Sequence, residues 1–144
     1  MHQHFGNMNT VRNNIFAKMG DEPVRVSKEE LHKQILLERN IFVSEGKPIY
    51  HVGYDGHPSG GVYAIGTNKN ILFDTKKGVA VLTLKDKEYT LKEAQETYGI
   101  EDNSIVADPC FVDFENNDFT LKENSPAFKL GFKQIDIKDV GAKR

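Results

Sequence analysis

The sequence predicts an all-β chain built as a parallel β-helix of about three to four coils, with a short helix inserted near residues 91–98 and a C-terminal capping tail. Three observations predict it. An Asn-Ile pair recurs at Asn14-Ile15, Asn40-Ile41 and Asn70-Ile71, at intervals of 26 and 30 residues. Each period holds three short apolar strands separated by polar turns, which is the content of one coil of a triangular solenoid. The chain then closes in a segment punctuated by proline and rich in phenylalanine.

The strands of each period follow in a fixed order. The first precedes the Asn: Thr10 to Arg12, Gln34 to Leu37 and Val62 to Ile65. The second starts at the Asn itself, as in Asn14-Ile15-Phe16-Ala17-Lys18, Asn40-Ile41-Phe42-Val43-Ser44 and Asn70-Ile71-Leu72-Phe73-Asp74. A third follows a polar turn, at Val24 to Val26, Ile49 to Val52 and Val79 to Leu82. Each coil adds one strand to each of three sheets, about 4.8 Å above the last, because no coil can bury its apolar face alone. The repeated Asn is expected at a left-handed corner, which it tolerates well, with amides stacking as a ladder. The Ile after it is expected to stack inside the core.

Two stretches carry helical signals. Ser27-Lys28-Glu29-Glu30 has the form of a capping box, and predicts a helical turn over residues 28–32 inside a loop. A helix running on to Arg39 is the competing reading. Thr90-Leu91-Lys92-Glu93 is a second capping box, and Gly99 a fitting C-cap, so residues 91–98 are expected to be helical. A strand is expected near Ser104-Ile105-Val106. The chain is thus read as one domain: coils over 1–84, an inserted loop and helix over 85–104, and a last coil with its cap over 105–144.

The closing segment contains, in order, Asp108-Pro109-Cys110-Phe111-Val112-Asp113, Asn117-Asp118-Phe119-Thr120-Leu121, Ser125-Pro126-Ala127-Phe128 and Gly131. This succession resembles the tail of right-handed parallel β-helix proteins of the bacterial glycoside hydrolase and polysaccharide lyase type. Gln3-His4-Phe5-Gly6 and Val11-Arg12-Asn13-Asn14-Ile15-Phe16-Ala17 resemble a coil of that group. The resemblance spans roughly residues 2–17 and 100–141. Phe114 stands where such tails often carry Pro, and Asn117 where they often carry Gly. The resemblance implies an extracellular or cell-surface carbohydrate-active protein, with polysaccharide or oligosaccharide as partner. Such a tail occurs on β-helices of many activities, so it points to architecture more than to chemistry. Physically, Pro109 and Pro126 stop further strand pairing, while Phe111, Phe119, Phe128 and Phe132 are expected to cover an open coil end.

Composition narrows the remaining classes. Of 144 residues, 38% are hydrophobic and 28% charged, and the net charge of −2 is spread without a basic cluster. Nucleic acid is therefore not an expected partner. No run approaches the roughly 20 apolar residues of a membrane helix. The first residues lack the basic start and apolar core of a signal peptide. Cys110 is the single cysteine, which excludes an internal disulfide, and its apolar neighbours predict a buried small side chain.

The resemblance implies a substrate groove along one sheet and its loops, and the sheet of Val24, Ile49 and Val79 is the expected surface. His51, Tyr54 and His57 lie at the end of one of its strands; His2 and His4 are expected near the matching level of the coil before. These five are the candidate substrate-binding residues. Turn formation alone also accounts for the polar loop that holds Tyr54, Asp55 and His57. Glycoside hydrolysis requires two carboxyl groups at a set separation, for which Asp55 and Asp74 are the candidates. Glu38 reads more simply as a solvated turn residue. A lyase needs a base beside a uronate carboxylate and often Ca²⁺ or an Arg to stabilise the carbanion. No calcium loop, phosphate loop or helical zinc motif stands in the sequence, so no cofactor is expected unless a lyase takes Ca²⁺. The alternative function is a non-catalytic segment that binds glycan or caps a solenoid. Residues 1–9 hold no amphipathic helix to cover the first coil, so the chain is expected to be the C-terminal part of a longer solenoid. Alone, it is expected to form a homo-oligomer through that coil end.

Overall fold

The computed structural model describes residues 1–28, 32–53 and 62–136. Strands dominate. Among the described residues, fourteen short strands, one α-helix and two 3-10 turns follow one another.

Three parallel sheets carry the fold. Strands β1 (His2–Gln3), β4 (Val24–Val26), β7 (Tyr50–Val52) and β10 (Val81–Leu84) form the first, in that order. The second is β2 (Asn9–Arg12), β5 (Ile35–Glu38) and β8 (Ile65–Asn68). The third is β3 (Ile15–Phe16), β6 (Ile41–Ser44), β9 (Ile71–Asp74) and β12 (Ile105–Val106). From β1 to β9 consecutive strands thus go to different sheets, and within these sheets a strand pairs in parallel with the one three places on. Register follows the repeat: Ile15 opposes Ile41, Ile41 opposes Ile71, and Ile71 opposes Ile105.

The Asn repeat is a hydrogen-bonded ladder. Asn40 Oδ1 accepts from Asn14 N at 3.0 Å and from its Nδ2 at 3.3 Å. Asn70 Oδ1 accepts in the same way from Asn40, at 2.9 and 3.3 Å. Ser104 continues the column, its Oγ accepting from Asn70 N at 2.8 Å. The left-handed residue is not the Asn, contrary to expectation. It is the residue before: Asn13 (φ 60°), Arg39 (φ 51°), Lys69 (φ 56°) and Asn103 (φ 57°). The chain reverses one position early, which frees each Asn side chain to point along the stack.

The Ile column also faces differently from expectation. Phe16, Phe42 and Leu72 lie in one register and pack in the main interior with Val24, Tyr50, Leu82 and Ile35. Alternation along a strand therefore turns Ile41, Val43 and Ile71 to the opposite face, where Phe111, Leu121, Ala127 and Phe132 of the tail cover them. The tail, with its antiparallel hairpin β13 (Phe111–Asp113) and β14 (Asp118–Leu121), thus lies on a sheet face rather than over a coil end. Asn13 fastens its far part: Nδ2 donates to the Lys133 carbonyl at 2.9 Å, and Oδ1 accepts from Lys133 N at 2.6 Å. Asn117 sits at φ 64°, filling the left-handed turn position with an Asn in place of Gly.

Helix α1 (Leu91–Tyr98) forms where expected, with a complete capping box between Thr90 and Glu93 and a left-handed Gly99. The preceding strand, β11 (Lys87–Thr90), pairs antiparallel with β10 and ends the first sheet. Leu91, Ala94 and Ile100 pack into the main interior, so this segment closes the stack beyond β10. Other expectations shift. The first-sheet strand of the third period is Val81–Leu84, and Val79 is 51% exposed. Residues 62–64 form a 3-10 turn, and their strand starts at Ile65. β5 excludes a helix running to Arg39, while the helical turn at residues 28–32 lies largely outside the described residues. Cys110 is half-buried at φ 60°, not buried, since a left-handed turn carries it to the rim of the tail.

Candidate functional site

The first sheet presents a row of outward polar side chains. In β4, β7 and β10 alternate residues turn inward and are buried: Val24 and Val26, Tyr50 and Val52, Leu82 and Leu84. The residues between must point outward. Register sets them side by side: His2 opposes Arg25, Arg25 opposes His51, and His51 opposes Thr83. Four polar side chains from four strands therefore stand in a line, one strand spacing apart.

The turn before β4 supplies a carboxylate to this row. Glu22 is folded back so that its side chain is only 6% exposed. It accepts a hydrogen bond from Arg25 Nε, and its Oε1 lies 3.9 Å from His51 Nδ1. Bonding to Glu22 raises the Arg25 guanidinium further above its ordinary value, so this cation is permanent. Asp21 stands 3.8 Å from Arg25, and hydrogen bonds with Glu22 hold its carboxyl below the usual range. At the other end of the row the His2 and His4 rings converge on one hydroxyl. His2 Nε2 hydrogen-bonds Ser27 Oγ, and His4 Nδ1 lies 3.1 Å from the same atom.

The structure thus joins three expected residues, His2, His4 and His51, into one face, and adds Glu22, Arg25 and Ser27. Arg25 carries a signal in the sequence, as the polar centre of Val24-Arg25-Val26. Glu22 and Ser27 reach the row only through their turns. Tyr54, Asp55 and His57 lie outside the described residues.

Asp74 belongs elsewhere. It ends β9, in the third sheet, with 1% of its surface exposed. Its carboxylate accepts from the amides of Gly46, Lys76 and Lys77 and from Ser44 Oγ, at 2.8 to 3.1 Å. Burial raises its pKa, but these bonds outweigh burial and leave it below the ordinary value. Such a carboxylate organises two stacked turns and offers neither a proton nor a free lone pair. Glu38 ends β5 and lies 3.5 Å from Arg39.

A second carboxyl group is enclosed beside the end of the Asn column. Glu101 has no exposed surface; its oxygens accept from Tyr50 Oη, Asn70 Nδ2 and Ser104 Oγ. Burial drives its pKa up against those donors, and burial likewise holds the Tyr50 phenol well above its ordinary value. Among the described residues no group of three or more His, Cys, Asp or Glu is placed to hold a metal ion. No helix among them is long and apolar enough to cross a membrane. Comparison of the chain with protein-family models, curated proteins and solved structures yields no match.

Proposed function

We propose that the three sheets close into a right-handed parallel β-helix, and that this is a carbohydrate-active protein of the cell surface or exterior. In this reading the row His2, Arg25, His51 and Thr83 carries the glycan, and the chain is the C-terminal part of a polysaccharide-degrading hydrolase or lyase. The single observation behind it is the register that lines up these four side chains across stacked strands. Their spacing is close to the length of one pyranose unit, so successive sugars meet successive donors. Arg25 offers a fixed fork to a hydroxyl pair or a carboxylate. His51 beside buried Glu22 is the pair suited to moving a proton. A lyase would take Ca²⁺ or use Arg25 in its place.

One observation favours a non-catalytic reading, in which the face binds glycan without cleaving it. Asp74 is committed to its turns and Glu22 to Arg25, so the carboxylate pair of a hydrolase is not assembled among the described residues. Exposed strands β1, β2 and β3 of the first coil are also where a second copy would pair, in either reading.

Incubation with a panel of plant and host polysaccharides, read by product release and by retention on immobilised glycan, tests both. Release lost in His51→Ala supports the enzyme; retention without release, weakened in His51→Ala, supports the binder. Neither release nor retention on any glycan overturns the carbohydrate reading.

A further inference from the structure

A different face of the molecule concentrates positive charge. The left-handed corners that precede the Asn ladder are stacked, and they throw their side chains outward. A cleft of about 440 Å³ opens beside the first two corners, lined by Arg12, Asn13, Arg39, Gly131 and Lys133. Its cations come from three separate parts of the chain. Arg12 ends β2, Arg39 is the corner before Asn40, and Lys133 arrives with the tail. Lys69, the next corner up, lines a smaller adjoining recess together with Arg39.

This convergence is built by the backbone rather than by loose side chains. Asn13 holds Lys133 by the paired bonds described above, which brings the tail's cation to the corner row. Arg39 rests its stem against Gly131: a Cβ placed there would meet Arg39 Cδ at 3.4 Å. Gly131 itself has φ 86°, a backbone conformation that favours glycine. Among the described residues the acidic group paired with these cations is Glu38, 3.5 Å from Arg39. Three fixed positive charges against one carboxylate leave a surplus that a bound anion would neutralise, and guanidinium groups are shaped to hold oxyanions in pairs of hydrogen bonds.

We propose that this cleft is an oxyanion-binding site, fitted to a sulfate, phosphate or carboxylate group borne by a small ligand such as a substituted sugar. The site stands apart from the His2–Arg25–His51 row and holds whether or not that row binds glycan. Arg39 and Lys133 are its central ligands, with Arg12 closing the near side.

Titrations of the chain with inorganic phosphate, inorganic sulfate and acetate at low ionic strength, followed by amide chemical shifts, test the proposal. Saturable shifts at Asn13, Arg39 and Lys133 are expected with at least one of the three, and the ranking of the anions identifies the group recognised. Lys133→Gln leaves the backbone bonds to Asn13 in place and is expected to weaken binding about tenfold, the scale of one charge-assisted contact. Arg39→Gln is expected to do the same. Absence of saturable shifts with all three anions, or unchanged binding in both variants with the fold retained by circular dichroism, overturns it.

Discussion

The outer faces of the first and third sheets differ in one respect with large consequences. Both sheets are parallel, both alternate, and both turn apolar residues into the same interior. On the first sheet the outward positions are His2, Arg25, His51 and Thr83, which are exposed or half-buried. On the third they are Ile15, Ile41, Val43 and Ile71, and the tail lies over them with Phe111, Leu121, Ala127 and Phe132. A stacked parallel sheet is therefore one-sided or two-sided according to the outward residues of its strands. Where those residues are apolar, further chain is recruited; where they are polar, the face stays partly exposed.

Introducing charge on the two faces gives the largest contrast. Ile41→Asp would place a carboxylate at a fully buried position under the tail, costing at least about 4 kcal/mol. Thr83→Asp, at the corresponding place on the first sheet, is expected to stay within roughly 0.5 kcal/mol of the parent. Urea denaturation of both variants measures the difference; equal losses would mean that the tail does not seal the third sheet.

The ladder stands at the corner between the second and third sheets, and breaking it has the next largest effect. Asn40→Ala removes the side-chain partner of the Val11 carbonyl and of the Asn14 amide, and leaves Asn70 Oδ1 with the backbone N–H of residue 40 as its donor in the column. A loss of about 3 kcal/mol is expected from buried groups left unsatisfied. Hydrogen exchange should show it first at Asn14 N, whose protecting acceptor is gone.

The smallest effect sharpens the comparison at the closed end of the stack. Glu101 has a folded pKa raised by burial, so above the ordinary glutamate range the unfolded chain has lost its proton while the folded chain keeps it. Stability from this group is fully present below the unfolded pKa and falls as pH rises toward the folded one. Melting temperature followed from pH 4 upward should decline across that window, and Glu101→Gln should flatten the decline. A variant with the parent's slope would place the titrating group elsewhere.

Much of the architecture was legible because its causes are local. Asn14, Asn40 and Asn70 mark the period, since a stacked amide must recur at the same place in every repeat. Helix α1 was legible to the residue, because the Thr90–Glu93 box and Gly99 satisfy their own backbone ends. The candidate site was only half legible. His2, His4 and His51 stand out as residue types, but Glu22 and Ser27 are joined to them through turns whose direction no spacing encodes. Asp74 misled for the converse reason: a carboxylate bound to three amides is indistinguishable in sequence from a free one.

By itself the amino-acid order determined strand content, the repeat interval, the capped helix and the alternation of each strand, all of which follow from backbone geometry over a few residues. Tertiary structure alone decided which side of each alternating strand met the interior, and so turned the Ile column outward to receive the tail. It also decided that Arg12, Arg39 and Lys133 share one cleft. Side-chain burial and charge convergence depend on what is packed against a residue, and that partner lies up to 120 positions away, as between Asn13 and Lys133.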